Sequence, residues 1–204
     1  MGGVISEDMR RVVRERLAAE TGRIDKDAPL RVALAYPSPY SVAMSSLGYQ
    51  RIYRAIQDHA GMAAERVPLP DGGDRPGAEI ERPVSYESLR ELGEFPIVAV
   101  TVAYEIELAG LVRMLDASGI PALRQERGEE HPFVLAGGPL TFSNPLTLAP
   151  FADAVILGEA EEIVCALIET IASAPSRAHA LAALARQPHV FVPEHHGSTL
   201  PEVA

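Results

Sequence analysis

One cysteine, Cys165, is all the thiol chemistry that 204 residues hold. That excludes an internal disulfide, a CxxC redox pair and an iron–sulfur cluster ligated wholly within this chain. Basic charge is also scarce: 18 Lys and Arg face 28 Asp and Glu, for a net charge of −10. Such a surface repels phosphate backbones and anionic lipid, so neither nucleic acid nor a membrane surface is an expected partner. No run reaches the roughly 18 to 20 apolar residues of a membrane span, and the N-terminal MGGVISEDMRR lacks the apolar core of a signal peptide. The expectation is a cytoplasmic protein. Absent too are a GxGxxG after the first strand, a GxxxxGK(S/T) loop, a GxSxG elbow and any zinc-ligand spacing. The usual dinucleotide, triphosphate and hydrolase fingerprints are thereby set aside.

What is present, 47% hydrophobic and 23% charged residues, fits one α/β domain with a sizeable core. Residues 6–20, SEDMRRVVRERLAAE, place Met9, Val12, Val13, Leu17 and Ala18 on one stripe behind Ser6 as a cap. Residues 1–29 therefore read as an amphipathic helix and linker. RVALAYP, 31–37, predicts the first strand, stopped by Pro37. Residues 41–59 carry Met44, Leu47, Ile52, Ala55 and Ile56 at near-helical spacing and predict one helix. Ala63 to Leu69 reads as a second strand, PDGGDRPGAEIERP as a loop, SYESLRELGE as a short helix, and FPIVAVTV, 95–102, as a central buried strand. A helix is predicted over 105–117, closed by Gly119 and Pro121, and ALRQ as a short strand. PFVLAGGP and DAVILGEAEE are apolar strands ending in glycine, the second leading into the helix EEIVCALIETIASA. Arg177 to Arg186 predicts a last helix before the strand-like HVFVP.

Strands alternating with helices at this spacing imply right-handed crossovers. The expected fold over 30–193 is α/β: an open, doubly wound, mostly parallel sheet flanked by helices, Rossmann-like or flavodoxin-like. Residues 194–204, EHHGSTLPEVA, read as a tail or linker to a further module.

In such a sheet the ligand lies beyond the carboxyl ends of the strands. The loops there are PSPYSVAMSSLG, TVAYE, GGPLTFSNP and GEAEE. Their small residues let a flat ligand approach the backbone, and the helix starts behind them offer free N–H donors, as in a cofactor cradle. Each piece also has a plain structural explanation. Gly137-Gly138 serves as a tight strand exit, and Ser45, Ser46 and Gly48 as a helix entry. Glu159, Glu161 and Glu162 suit the positive end of a helix. Met44 and Cys165 fit a core, and the scattered histidines fit solvated or capping positions, with His195-His196 at most an adventitious metal site.

Taken together, the segments carry a resemblance. GGPLTFSNPLTLAPFADAVILGEAEE, residues 137–162, is similar to the GGP, NP, LAPF-D and GEGEE pattern of one branch of radical S-adenosylmethionine proteins. YPSPYSVAMSSLGYQRIY, residues 36–53, resembles the first loop and helix of that branch's N-terminal, cobalamin-binding-type domain. In the family's cobalamin domains the first loop reads DxHxxG, its His coordinating cobalt. Laying Gly48 on that glycine puts Ala43 at the Asp and Ser45 at the His, so the axial histidine is missing. Thr101-Val102-Ala103 stands at the family's Ser-x-Leu, and Gly137-Gly138 at its Gly-Gly.

The resemblance implies a corrinoid held through its ring and tail, without a protein imidazole on cobalt. Tyr40, Met44, Ser45 and Gly48 would lie near the lower ring face, and Thr101, Gly137, Gly138 and Asn144 near the tail. Gly158 and Glu159 complete the cofactor-binding set. A bulky side chain at Gly138 would block the tail. The resemblance also implies a radical S-adenosylmethionine barrel on the same polypeptide, its CxxxCxxC cluster and S-adenosylmethionine lying outside this chain. By itself the chain would then catalyse no radical chemistry. Two other functions stay open: a ligand-free docking domain of the same protein, and a flavin or small-molecule binder on the same fold.

Overall fold

A computed structural model describes residues 5–75 and 77–201. The first four residues of the N-terminal segment, Pro76 of the predicted loop and residues 202–204 of the predicted tail lie outside it. Six strands form one sheet in the order β2-β1-β3-β4-β5-β6. They are β1 (Leu30–Pro39), β2 (Met62–Leu69), β3 (Ile97–Thr101), β4 (Phe133–Gly137), β5 (Ala154–Ile156) and β6 (Val190–Phe191). All pairs are parallel except β5 with β6. β2, β3, β4 and β5 are buried at every residue, and β3, β4 and β5 accordingly run apolar rather than alternating, while β2 buries Glu65 and Arg66 as well.

Helices cover both faces. The first face packs α3 (Leu47–Asp58), α6 (Val164–Ser173) and α7 (Arg177–Leu184) on Val32, Leu34, Ile97, Leu135 and Ile156. The second packs α4 (Glu107–Ala117) and α5 (Leu140–Ser143) on Ala33, Ala35, Val98, Val100 and Val134. Alternate residues of each strand feed opposite cores, as the period of two requires. Right-handed crossovers put the β1-to-β2 helices on the first face and those following β3 and β4 on the second. The winding reverses between β1 and β3.

Several elements differ from the sequence pattern. The predicted helix over 41–59 is two, α2 (Tyr40–Ser45) and α3, because Ser46 leaves helical geometry at φ −80°, ψ 110°. Its hydroxyl accepts from the Tyr49 N–H and caps α3. SYESLRELGE is not a helix: only Leu92–Glu94 forms a 3-10 turn, and Leu89 takes φ +59°. Its polar side chains are committed elsewhere, Ser85 and Ser88 to the Glu65 carboxylate and Glu87 to Arg66. ALRQ forms no strand; Arg124–Glu126 is a 3-10 turn whose first N–H donates to the Pro150 carbonyl. The segment read as a tail begins with a one-turn helix, α8 (Pro193–His196), with His196 stacked on Phe191. The first helix, α1 (Glu7–Ala19), is capped by Ser6, which accepts from the Met9 N–H at 3.1 Å. Among the described residues no helix is long and apolar enough to cross a membrane.

Candidate functional site

The site begins with a missing side chain. On the first face Leu34 stands opposite Ala99, and Ala99 opposite Leu135. Two residues nearer the carboxyl ends, Thr101 pairs with Gly137, so β4 runs Phe133, Leu135 and then nothing. That leaves a cavity of about 220 Å³ floored by Leu34, Ala99, Leu135 and Ile156, between Ile52 of α3 and Val164 of α6. A Cβ on Gly137 would stand 3.7 Å from the Ile156 Cβ, ordinary contact distance. Packing therefore does not demand glycine there. Thr101, 8% exposed, lines the cavity, and its hydroxyl makes no hydrogen bond among the described residues. The hydroxyl is not sealed from solvent, since the buried side-chain polar atoms without a partner lie elsewhere among the described residues, so it stands open to water or to a group that enters the cavity.

The mouth is rigid. Gly138 has φ +107°, and a Cβ there would meet the Val102 carbonyl oxygen at 2.7 Å. Glycine is obligatory at 138, and a bulky substitution would test the backbone rather than a ligand. The Thr141 hydroxyl donates to the Gly138 carbonyl at 2.9 Å and accepts from the Gly158 N–H at 3.3 Å, joining the exits of β4 and β5. The buried Glu107 carboxylate accepts from the Ala103 N–H at 2.6 Å and the Ser38 hydroxyl at 2.9 Å, joining the exits of β1 and β3. Gly110 lets α4 lie flush on Pro37, whose carbonyl oxygen a Cβ would meet at 2.2 Å. Sequence reasoning missed Glu107 and Gly110; the signal available was an acid and a glycine in the helix after the TVAYE loop.

The rim is apolar and uncovered. Val42, Leu47, Tyr104, Ile106, Phe142 and Leu146 are six of the eight exposed large hydrophobics among the described residues. All six follow β1, β3 or β4. Glu159 and Glu161 also line the cavity, and Glu161 lies 3.4 Å from the Arg51 guanidinium. Among the described residues no Lys, Arg, His, Cys or Met lines it.

Of the residues expected from sequence, Gly48, Thr101, Gly137, Gly138, Gly158 and Glu159 come together here. Tyr40 and Met44 do not. They line a second cavity of about 310 Å³ on the opposite flank of α3, against Ala19 to Ile24. The break at Ser46 is the reason, since α2 turns its side chains toward that linker. The Tyr40 hydroxyl donates to Glu20 at 2.6 Å while its ring stacks on Tyr86, and the Met44 sulfur lies 3.5 Å from an Arg66 nitrogen. Ser45 donates to the Val42 carbonyl of its own helix, and Ser46 takes its place at the cavity. Asn144 lies outside, its amide 3.5 Å from Glu105.

The second cavity is larger, but the charges buried in it satisfy one another, while Arg23 and Arg54 at its exposed side make no ion pair among the described residues. Arg66 donates to both oxygens of Glu20, at 2.7 and 3.0 Å, and to Glu87 at 2.6 Å. Burial works against the Glu20 charge, yet the Arg66 and Tyr40 hydrogen bonds outweigh it and lower that carboxyl's pKa. Burial and the Glu20 carboxylate push the Tyr40 phenol up. Two histidines are used locally: the rings of His131 and His196 accept the N–H groups of Gly128 and Val192. Cys165 is partly buried on α6, near the Ala55 carbonyl, and burial raises its thiol. Among the described residues no three His, Cys, Asp or Glu side chains converge on a metal-sized site.

A sequence profile of the family described as "Radical SAM proteins, N-terminal" matches residues 48–193, more than two thirds of the chain. The chain belongs to that family. In this radical SAM N-terminal domain the matched stretch runs from the start of α3 to the start of α8 and includes most of the cavity lining. No curated protein and no solved structure gives a significant match.

Proposed function

We propose that this radical SAM N-terminal domain is an accessory module that holds a corrinoid over the carboxyl ends of its sheet, tail inward and ring outward. The observation that carries the reading is the apolar cavity beside the side-chain-free Gly137, with the open Thr101 hydroxyl on its wall. Pockets that enclose a drug-sized ligand run about 300–1,000 Å³; at about 220 Å³ this one admits a single aromatic ring system and leaves the rest outside. Leu34, Ala99, Leu135 and Ile156 supply the apolar floor for the tail's base, and Thr101 its hydrogen bond. The amide of Gly48, in the first turn of α3 and without an intrahelical acceptor, suits the tail's phosphate. Tyr104, Ile106 and Phe142 offer exposed apolar surface to the ring.

When bound, the corrinoid would supply a cobalt centre for methyl transfer or a related radical step by the complete protein. None of the cavity-lining side chains is an imidazole, thiol or thioether, so the domain holds the ring and tail without coordinating cobalt from this cavity. The test is titration with hydroxocobalamin and methylcobalamin, followed by desalting and visible absorbance. Retained colour with a base-off spectrum supports the reading. No retention overturns it in favour of a ligand-free docking domain, which the exposed apolar rim would then serve directly.

A further inference from the structure

The second cavity holds positive charge that the fold does not use. Its volume of about 310 Å³ is that of a small-molecule site. Three arginines, Arg23, Arg54 and Arg66, line it against one acid, Glu20. That acid is spent: one oxygen accepts from Arg66 and the Tyr40 hydroxyl, the other from Arg66 again. Arg23, on the linker after α1, and Arg54, on α3, are exposed at the open side, and neither is ion-paired or hydrogen-bonded through its side chain among the described residues. In a chain of net charge −10, two free cations on one cavity run against the general sign of the surface. A second observation lies at the buried side. Arg66 is 4% exposed, and its Nε donates to Glu87, its Nη1 to Glu20 and toward the Met44 sulfur, and its Nη2 to Glu20. A guanidinium carries five N–H groups; the fifth, on Nη2, has no acceptor among the described residues. Guanidiniums donate and never accept, so the group that complements all three is an oxyanion.

We propose that this cavity binds a small organic oxyanion, a carboxylate or phosphate monoester on an apolar body, with Arg23 and Arg54 taking the charge at the open side and Arg66 offering its remaining N–H. Ile24, Met44 and the Tyr53 ring supply apolar wall for the body. The site is independent of the corrinoid reading. It lies on the opposite flank of α3, shares no lining residue with the first cavity, and stands whether or not a corrinoid binds there.

The experiment titrates the whole chain with phenyl phosphate and benzoate, and with neutral benzamide and cationic benzamidine as controls of similar size, by isothermal titration calorimetry at fixed ionic strength. At least one anion should bind about tenfold or more tighter than either control. Phenyl phosphate ahead supports the site in its phosphate form, and benzoate ahead in its carboxylate form. The Arg23→Gln/Arg54→Gln double variant should weaken the anion by about fivefold to tenfold, the size of two exposed charge pairs, and leave the controls unchanged. Arg23→Lys/Arg54→Lys, which keeps the charge and loses the planar fork, should recover part of the affinity. Both residues are exposed, and far-UV circular dichroism checks that the variants are folded. No binding of either anion, equal binding of anions and controls, or an anion preference undiminished in the glutamine variant each overturns the proposal and leaves the two arginines as solvated surface charge.

Discussion

The two ends of the sheet are built by opposite rules. At the amino end, Asp153 just before β5 accepts the Val134 N–H at 2.7 Å and meets Arg127 at 3.3 Å and Arg177 at 2.8 Å. Those arginines close further backbone carbonyls, Pro121, Ala122 and Phe151 by Arg127, His131 and Pro132 by Arg177. At the carboxyl end, glycines replace side chains, the Thr101 hydroxyl is left open and large apolar residues face outward. One end spends its polar groups on holding the fold. The other withholds them, which is what a binding site needs and a stability element does not.

The hardest test of this contrast is Asp153→Ala. It strands the buried Arg127 guanidinium and the partly buried Arg177, and burial together with the Arg177 charge already pulls Arg127 below the usual guanidinium range against the opposing pull of Asp153. Removing one partner of a buried ion pair costs about 3–5 kcal/mol, to be read by urea unfolding. Asp153→Asn, which keeps an acceptor for Val134, should recover part of it. A loss under about 1 kcal/mol would remove the amino end as the anchor of the fold.

Next comes a pair of neighbours at the other end. Gly138→Val forces a β-branched residue to φ +107° and drives its Cβ into the Val102 backbone. About 2–3 kcal/mol of stability should go with it. Gly137→Val meets only Ile156 at contact distance and should change stability by less than about 1 kcal/mol, yet it fills the cavity and should abolish corrinoid retention. Equal thermal shifts for the two, or undiminished retention by Gly137→Val, would end the distinction between a glycine kept for backbone and one kept for space.

Much of this was legible in the sequence, for stateable reasons. Continuous apolar runs gave β3, β4 and β5, and the glycines after them pointed to the strand ends where the cavity lies. Patterns of one residue type over a few positions carry such information. They carry little about partners far apart in the chain. Asp153 is 26 residues from Arg127 and 24 from Arg177, so nothing local announces the cluster. Glu87 reads as helical by its neighbours but is drawn out of that state by Arg66. The resemblance of the first loop places Tyr40 and Met44 near the ligand, but the break at Ser46 makes two helices there and both residues line the other cavity. The antiparallel direction of β6 leaves no mark in a two-residue strand.

The side edge of the sheet asks whether closure by charge is confined to the amino end. Glu20, held below its usual pKa by Arg66 and Tyr40 despite burial, clamps the linker after α1 onto β2. A carboxyl with a depressed folded pKa contributes fully above its unfolded value and loses that contribution as pH falls through the folded one. Glu20→Gln should therefore cost about 1.5–3 kcal/mol near neutral pH, the range of a hydrogen bond to a charged group. The gap from wild type should narrow as pH drops below the usual carboxylate range. A gap that is constant with pH would mean that Glu20 acts by packing alone.

Thr101→Val is the smallest change in stability and the sharpest in meaning. Valine keeps the volume and β-branching that suit a buried strand. It deletes a solvent-accessible hydroxyl that bonds nothing among the described residues, so unfolding free energy should move by less than about 0.5 kcal/mol, in either direction. Were the hydroxyl serving the fold, as Asp153 serves the amino end, the same substitution would cost more than about 1 kcal/mol. Affinity should behave differently. Loss of one neutral hydrogen bond to the ligand weakens binding by about threefold to tenfold, read by absorbance titration with hydroxocobalamin. A variant with unchanged stability and weakened binding assigns the open hydroxyl to the ligand. Reduced stability with unchanged binding would make the carboxyl end, at this residue, one more structural closure and dissolve the contrast between the two ends where it is most exposed.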